Sequence, residues 1–267
     1  MFAHVLIGVD FSAAWPVLQQ RVMRLRSKGV NTITLASIIS PREVTNPTLN
    51  DRQQLQQRME DEAQSFRDIG LAVTCLVDVG KPSECLAEMA IAQQVDVILC
   101  GSKGSGGFTE RLLGSTVQRL SHLSQTPLWM EPINVGHELR HNYTTLVLAT
   151  DASSSAVPAE RLFEQLAEHF RNRVALISEA LLYADGRGRE VAELHLIALA
   201  TRIPKLDSVI VSGQARKALI DEAKRWEADL LIIGQQGHSR FKERLLGSTA
   251  EALLEGINCP VLVVPHP

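Results

Sequence analysis

Aromatic side chains are scarce in this 267-residue sequence, which holds two Tyr, three Trp and seven Phe. A protein that stacks unpaired bases needs an aromatic platform, and none is visible. Positive charge is not in excess either. The formal net charge is −3 and the pI near 6.3, which argues against a general nucleic-acid binder. The four cysteines, at 75, 85, 100 and 259, form no Cys-x-x-Cys pair and no metal-ligand spacing, so reduced thiols in or near a core are expected. Cys100 stands apart only because it directly precedes a glycine segment. No apolar run approaches the roughly 18–20 residues that span a bilayer. His4–Val9 is too short, and too soon followed by Asp10, to be a secretory signal. A cytoplasmic protein with neither a membrane nor a nucleic-acid partner is therefore expected. The balance of 45% apolar and 21% charged residues is that of a globular chain.

What the sequence does contain is a string that occurs twice. Glu110-Arg111-Leu112-Leu113-Gly114-Ser115-Thr116 returns unchanged as Glu243-Arg244-Leu245-Leu246-Gly247-Ser248-Thr249. Glycines precede each copy at matched distances, Gly101 and Gly104 in one case and Gly234 and Gly237 in the other. Gly80 and Gly213, Pro127 and Pro260, and Pro132 and Pro265 are each separated by 133 positions, whereas Asp10 and Asp151 are separated by 141. Eight residues are thus missing from the second copy. Laying Ile33-Thr34-Leu35 on Val174-Ala175-Leu176 keeps the larger offset and places the whole deletion after the second strand. There the first copy has the loop Pro41–Asn50 and a long helix, while the second has only an Asp185-Gly186-Arg187-Gly188 turn. A repeat this long is a duplicated domain rather than a solenoid. The expected domains are residues 1–132 and 143–267, joined by a linker at 133–142.

Short β-branched runs alternate with amphipathic stretches in the same order in both halves. Expected strands are His4–Val9, Thr32–Ile39, Ala72–Val79, Val95–Cys100 and Pro127–Met130, then Thr145–Thr150, Val174–Leu181, Asp207–Val211, Asp229–Ile233 and Val261–Val264. Expected helices include Ala13–Ser27, Asp51–Ile69, Ser83–Gln94, Val157–Phe170, Arg189–Arg202 and Ala215–Trp226. Such alternation implies parallel strands, right-handed crossovers and helices on both sheet faces, an open α/β sheet in each half.

Ligands of open α/β sheets bind beyond the carboxyl ends of the strands. Three elements of each half converge there. The first strand ends in an acid, Asp10 or Asp151, followed by Ser12 or Ser153. The fourth ends in the glycine pair. The next helix opens with Gly114-Ser115-Thr116 or Gly247-Ser248-Thr249, whose glycine lets backbone approach an anion and whose N–H groups and dipole favour phosphate. The acid is poorly placed for phosphate but suits a ribose hydroxyl or an adenine amino group, both donors. Each element also has an ordinary explanation: the acids as helix caps, the glycines as turns.

Together these residues resemble the universal stress protein family, whose ATP-binding members carry an Asp at the end of the first strand and the pattern Gly-x2-Gly-x9-Gly-(Ser/Thr). The resemblance covers essentially the whole chain as two tandem domains. It implies a Rossmann-like, five-stranded parallel sheet of order 3-2-1-4-5 in each, with the fifth strands pairing to make a covalent pseudo-dimer. It further implies ATP or AMP at the carboxyl edge, with Mg²⁺ accompanying ATP and no metal site made by protein. By resemblance, Asp10 and Asp151 contact the ribose or adenine. Gly101, Gly104, Gly114, Ser115 and Thr116 surround the phosphates of one site, and Gly234, Gly237, Gly247, Ser248 and Thr249 those of the other. The family places an apolar residue at the end of the second strand, against the adenine. The 141 offset assigns Ile38 to the first domain and Glu179 to the second, with Ala180 reached by a one-residue shift. Lys103 adds a cation to the first loop. Gln235-Gln236 stand in the second, where His238, Arg240 and Lys242 follow. The first site is the better match.

Neither glycine segment is a P-loop, and Gly8-Val9-Asp10 leads straight to Phe11 without a Gly-x-Gly-x-x-Gly fingerprint. No Gly-x-Ser-x-Gly elbow or His-Glu-x-x-His is present, and His137 and His141 fall in the expected linker. Nothing is nominated to position water. The expectation is adenine-nucleotide binding that alters contacts with protein partners. A slow ATPase, or an interaction module with one or both sites degenerate, is the alternative, and a further homodimer is left open.

Overall fold

The computed structural model describes residues 2–41, 44, 46–102, 113–133, 143–178, 188–236 and 246–266. The chain divides into two compact units, Met1–Leu139 and Arg140–Pro267. Most of the expected linker, residues 134–142, lies outside the described residues.

In the first unit, β1 (His4–Gly8), β2 (Thr32–Ile39), β3 (Ala72–Val79), β4 (Val97–Gly101) and β5 (Leu128–Glu131) alternate with α1 (Trp15–Arg26), α2 (Leu49–Asp68), α3 (Pro82–Ala92) and α4 (Ser115–Leu123). The strands lie in the order β3-β2-β1-β4-β5, and every pair is parallel. The second unit repeats this with β6 (Thr145–Thr150), β7 (Asn172–Ser178), β8 (Leu206–Val211), β9 (Leu230–Gly234) and β10 (Val261–Val264). Its helices are α5 (Val157–Ala167), α6 (Gly188–Arg202), α7 (Ala215–Arg225) and α8 (Ser248–Gly256). Its order is β8-β7-β6-β9-β10, again parallel throughout. Counted along each unit, both orders are 3-2-1-4-5. Right-handed crossovers then put the first two helices on one face and the last two on the other. Buried on both faces, the central strands are apolar at nearly every position, with Leu6, Ile7, Ile98 and Leu99 fully enclosed in one unit and Leu146–Leu148 and Leu230–Ile232 in the other.

Local chemistry sets the element boundaries. Helix α2 begins at Leu49 rather than Asp51 because Thr48 and Asp51 form a capping box: the Asp51 N–H donates to Thr48 Oγ1 at 3.2 Å, and the Thr48 N–H donates to Asp51 Oδ2 at 2.7 Å. Asp96 and Asp229, expected inside the fourth strands, precede them and clamp the first. Asp96 Oδ2 accepts the N–H groups of Ala3 and His4 at 2.7 and 2.9 Å. Asp229 Oδ2 accepts those of Thr144 and Thr145 at 2.8 and 2.9 Å.

The duplicated scaffold carries different polar links in its two copies. In the first unit Gln19 Nε2 and Trp15 Nε1 donate to Glu62 Oε2 at 2.7 and 3.1 Å, joining α1 to α2. The equivalent positions in the second unit hold Glu160 and His195, whose Oε1 and Nε2 lie 2.7 Å apart between α5 and α6. Only the first unit buries an ion pair at the end of its fifth strand. Arg21 Nε and Nη2 donate to the two oxygens of Glu131 at 2.6 and 2.5 Å, and Trp129 Nε1 donates to Glu131 Oε2 at 3.1 Å. Arg21 and Glu131 are 3% and 0% exposed, so neither charge has water to fall back on. At the matching positions the second unit has Leu162, Val264 and Leu262.

Glu131→Ala should therefore destabilise the first unit by about 3–5 kcal/mol, because it removes the carboxylate that faces a buried guanidinium. The double replacement Arg21→Leu with Glu131→Val, which installs the second unit's residues, should recover most of that loss. Urea unfolding of the three chains measures both.

Candidate functional site

Both first strands deliver their acid to the sheet's carboxyl edge through the same turn. The Ser12 N–H donates to Asp10 Oδ1 at 2.9 Å, and the Ser153 N–H donates to Asp151 Oδ1 at 3.0 Å. The residue between acid and serine is left-handed in each case, Phe11 at φ 52° and Ala152 at φ 58°. That conformation costs a non-glycine residue about 1–2 kcal/mol, and here the acid's own hydrogen bond helps to hold it. One carboxylate oxygen of each acid, Oδ1, is thus held in a turn ahead of the helix, and neither acid caps a helix, the N-caps of α1 and α5 being Ala14 and Ala156. Around the first acid, the Phe11 ring packs edge-on to Trp15 and lies under the Arg58 guanidinium, 3.7 Å from the ring centre. Around the second, Thr150 Oγ1 accepts from the Ala152 N–H at 3.2 Å and donates to Glu160 Oε1 at 2.6 Å.

The fourth strands end at Gly101 and Gly234, as the spacing predicts. Gly234 is also a packing glycine: a Cβ there would stand 3.2 Å from the Gln236 carbonyl and 3.6 Å from that of Ser155. The following helices are tied back to these strand ends by matching bonds. The Gly114 N–H donates to the Ser102 carbonyl and the Gly247 N–H to the Gln235 carbonyl, both at 3.0 Å. Gly114 and Gly247 are the N-cap residues, one position ahead of the first turn assigned to them from sequence. Their φ values, −60° and −63°, are open to any residue, so left-handed backbone is not what calls for glycine here. Neither cap contributes a side-chain hydrogen bond, so the N–H groups of Ser115, Thr116, Ser248 and Thr249 open the helices with none from the N-cap residue. Ser115 and Ser248 are exposed, Thr116 and Thr249 half-buried.

The register of the second strands revises the residue beside the second acid. Gly8 lies opposite Ala36, 28 residues on, whereas Ala149 lies opposite Leu176, only 27 residues on. Ile38 pairs with Asp78, and the residue equivalent to Asp78 in the second unit, Val211, pairs with Ser178. The counterpart of Ile38 is therefore Ser178, not Glu179. One of the eight missing residues is lost before the second strand and seven after it. Hydrophobic matching could not detect this, because a strand buried on both faces looks alike after a one-residue slip. Ile38 is half-buried at the edge, as expected of a wall beside Asp10. Lys103, Gly104, Glu179, Ala180, Gly237, His238, Arg240 and Lys242 lie outside the described residues.

In the second unit a cavity of about 190 Å³ opens at this edge. Asp151, Gly234, Gly247, Ser248 and Thr249, all named from sequence, line it. Ala149, Leu219 and Leu253 give it an apolar side. The volume falls below the roughly 300–1,000 Å³ usual for small-ligand pockets. Ser153 is not among the lining residues. In the first unit Asp10, Gly101 and Gly114 gather at the ends of the adjacent strands β1 and β4 in the same way. There the Ser12 hydroxyl is occupied, accepting the Ala14 N–H at 3.2 Å.

The universal stress protein family model matches residues 1–132 and again residues 142–265. The chain belongs to the universal stress protein family. A universal stress protein of Mycolicibacterium smegmatis is 24% identical across 97% of this chain and 96% of its own length. Universal stress protein A homolog 2 of Coxiella burnetii is 37% identical over 27% of this chain and 48% of that protein. The crystal structure of a universal stress protein from Archaeoglobus fulgidus superposes with a TM-score of 0.78 at 17% identity, covering 98% of this chain and 96% of that one, a likeness of fold.

Within this universal stress protein the remaining site chemistry is quiet. Cys100, one residue before Gly101, is buried, and its thiol faces the Trp129 carbonyl at 3.9 Å. Burial pushes its pKa up to about 12, and burial together with Glu60 pushes that of Cys75 up to about 11. Both are thiols rather than thiolates at neutral pH. Among the described residues no three His, Cys, Asp or Glu side chains gather as metal ligands, and no helix is long and apolar enough to cross a membrane.

Cys100 should remain unmodified by a chromogenic disulfide reagent at pH 8 in the native protein and react once urea unfolds the chain. Peptide mass spectrometry reads the difference. Native-state labelling would show that the strand end opens.

Proposed function

We propose that this universal stress protein binds an adenine nucleotide, ATP or AMP, at the carboxyl edge of each domain. The observation that carries the proposal is the pair of helix starts with a glycine N-cap. Gly114 and Gly247, having no side chain, give no cap bond to the first N–H groups of α4 and α8, which open beside the acid that follows the adjacent strand. Several such N–H groups with the helix dipole make an anion site, while a carboxylate acceptor selects a hydroxyl or amino donor. A nucleotide has both ends.

Ser115, Thr116 and the Gly114 backbone would hold phosphate in the first domain, with Gly101, Lys103 and Gly104 completing the segment. Asp10 would accept from ribose or base, and Ile38 would cover the ring. In the second domain Ser248, Thr249, Gly234, Gly237 and Gly247 would take the phosphate and Asp151 the ribose or base. When bound, the nucleotide would supply a polyanion, accompanied by Mg²⁺ where it is ATP. The chain's own part is to bind, orient and exclude water. Hydrolysis forms no part of the proposal, since no side chain among the described residues is identified to position water. Protein partners that sense the bound state, and a cytoplasmic setting, fit the same reading.

Gly114→Asp and Gly247→Asp separate the anion site from the fold. Aspartate accommodates the observed φ and ψ and is a favoured N-cap, so each substitution should leave the helix intact or stabilise it by a few tenths of a kcal/mol. A carboxylate at that place repels phosphate, and nucleotide affinity at the altered site should fall at least about tenfold, the equivalent of about 1.4 kcal/mol. Calorimetry with ATP and AMP, beside circular dichroism, tests this. Wild-type protein that binds neither at millimolar concentration would refute the proposal.

A further inference from the structure

Helix α6 and its counterpart α2 in the first domain bury the same face. Met59, Ala63 and Phe66 of α2 match Ala192, Leu196 and Leu199 of α6, 133 positions on, and all six are enclosed. The outward faces differ. On α2 that face is polar and bonded along its length: Gln57 Nε2 donates to Asp61 Oδ1 at 2.9 Å, and Gln64 Nε2 donates to Asp68 Oδ1 at 2.7 Å. The matching positions of α6 hold Glu190, Leu194, Ile197 and Thr201. Leu194 and Ile197, about one turn apart, are 63% and 62% exposed, and Ala198 beside them is exposed as well.

A single exposed leucine on a protein surface is ordinary. Here the same helix in the same fold, with the same buried face, is built once with a polar outer face and once with an apolar one. Packing within the domain therefore does not call for Leu194 and Ile197. Exposed apolar side chains gathered on one helix face gain by leaving water, and a partner surface lets them do so.

We infer that this face binds α6 of a second copy of the chain, the two helices running antiparallel. Leu194 and Ile197 bracket the midpoint of Gly188–Arg202, so a two-fold axis there sets Leu194 of each copy against Ile197 of the other. The charges at the helix ends are self-complementary in that arrangement. Glu190 lies in the first turn and Arg202 in the last, so each acidic end meets a basic end with the helix dipoles opposed. A parallel pair would set Glu190 against Glu190. Arg202 keeps Glu164 and Glu160 at 3.7 and 4.0 Å within its own domain, yet its side chain is 46% exposed and open to a further acid. Arg189 and Glu193 pair with each other at 3.1 Å along the same helix. The association does not depend on nucleotide binding.

Sedimentation equilibrium of the full chain over a micromolar concentration series tests this, and the wild-type chain should approach twice its monomer mass. Leu194→Asp combined with Ile197→Gln installs the first domain's residues, which this fold already carries at those positions, and should weaken association at least about tenfold. Glu190→Lys should weaken it about two- to fivefold at low salt and less at high salt, because it sets a cation against Arg202 of the second copy. A wild-type chain that stays monomeric throughout the series overturns the inference. So does a dimer whose affinity the double variant leaves unchanged, since its contact lies elsewhere, or one that Glu190→Lys leaves unchanged at low salt. Thermal melts at dilutions where the wild type is monomeric separate association from folding. There the double variant should melt with the wild type, and a lowered midpoint, which would mean that Leu194 and Ile197 pack within their own chain, overturns the inference as well.

Discussion

Backbone hydrogen bonding between the first and second strands of each domain decides which side chain stands beside the strand-end acid. A parallel ladder allows no intermediate register, so one residue more or less in the preceding connection turns every later side chain to the opposite face. The first domain spends 28 positions between paired residues and thereby sets Ile38 at the edge, beside Asp78. The second spends 27 and sets Ser178 there, beside Val211. The remainder of the site, from the acid's turn to the glycine-capped helix, is laid on this frame in the same way twice.

Duplication also separates what the fold requires from what each copy has acquired. The aspartate that clamps the first strand, the left-handed residue after the acid, and the glycine N-cap bonded back to the fourth strand occur in both domains with nearly equal distances. The buried Arg21–Glu131–Trp129 group occurs once, and Leu162, Val264 and Leu262 replace it in the other copy. A buried ion pair with an apolar substitute in the same fold is not a source of net stability so much as a constraint on which partner each helix accepts. The link between the first two helices has been rebuilt as well, from Gln19–Glu62 to Glu160–His195. Its second form reaches Thr150, next to Asp151.

Much of this was legible in the residues. β-Branched runs located all ten described strands, four of them to the residue, because strands buried on both faces are continuous apolar segments bounded by polar ones. The repeated Gly-Ser-Thr string located the starts of α4 and α8, since glycine followed by small hydroxyl residues marks a helix start. Asp10, Asp151, Gly101, Gly234, Gly114 and Gly247 do gather at the strand ends. Asp96 and Asp229 were absorbed into strands, because nothing in a single sequence shows a carboxylate bonding to N–H groups more than 80 positions away. The eight-residue deletion was counted correctly and placed wrongly, for a related reason. Apolar runs report that a strand is buried, not how it is paired.

The sequence by itself determined the class of fold, the duplication, and the identity of the acids and glycines at the carboxyl edge. All of these follow from periodicity and spacing along the chain. Only the tertiary structure decided that Gly114 and Gly247 cap their helices in extended backbone, that Gly234 is also required for packing, and that Ser178 rather than Glu179 stands beside Asp151. Those facts depend on strand register and on which groups find hydrogen-bond partners, and both are settled between segments distant in sequence.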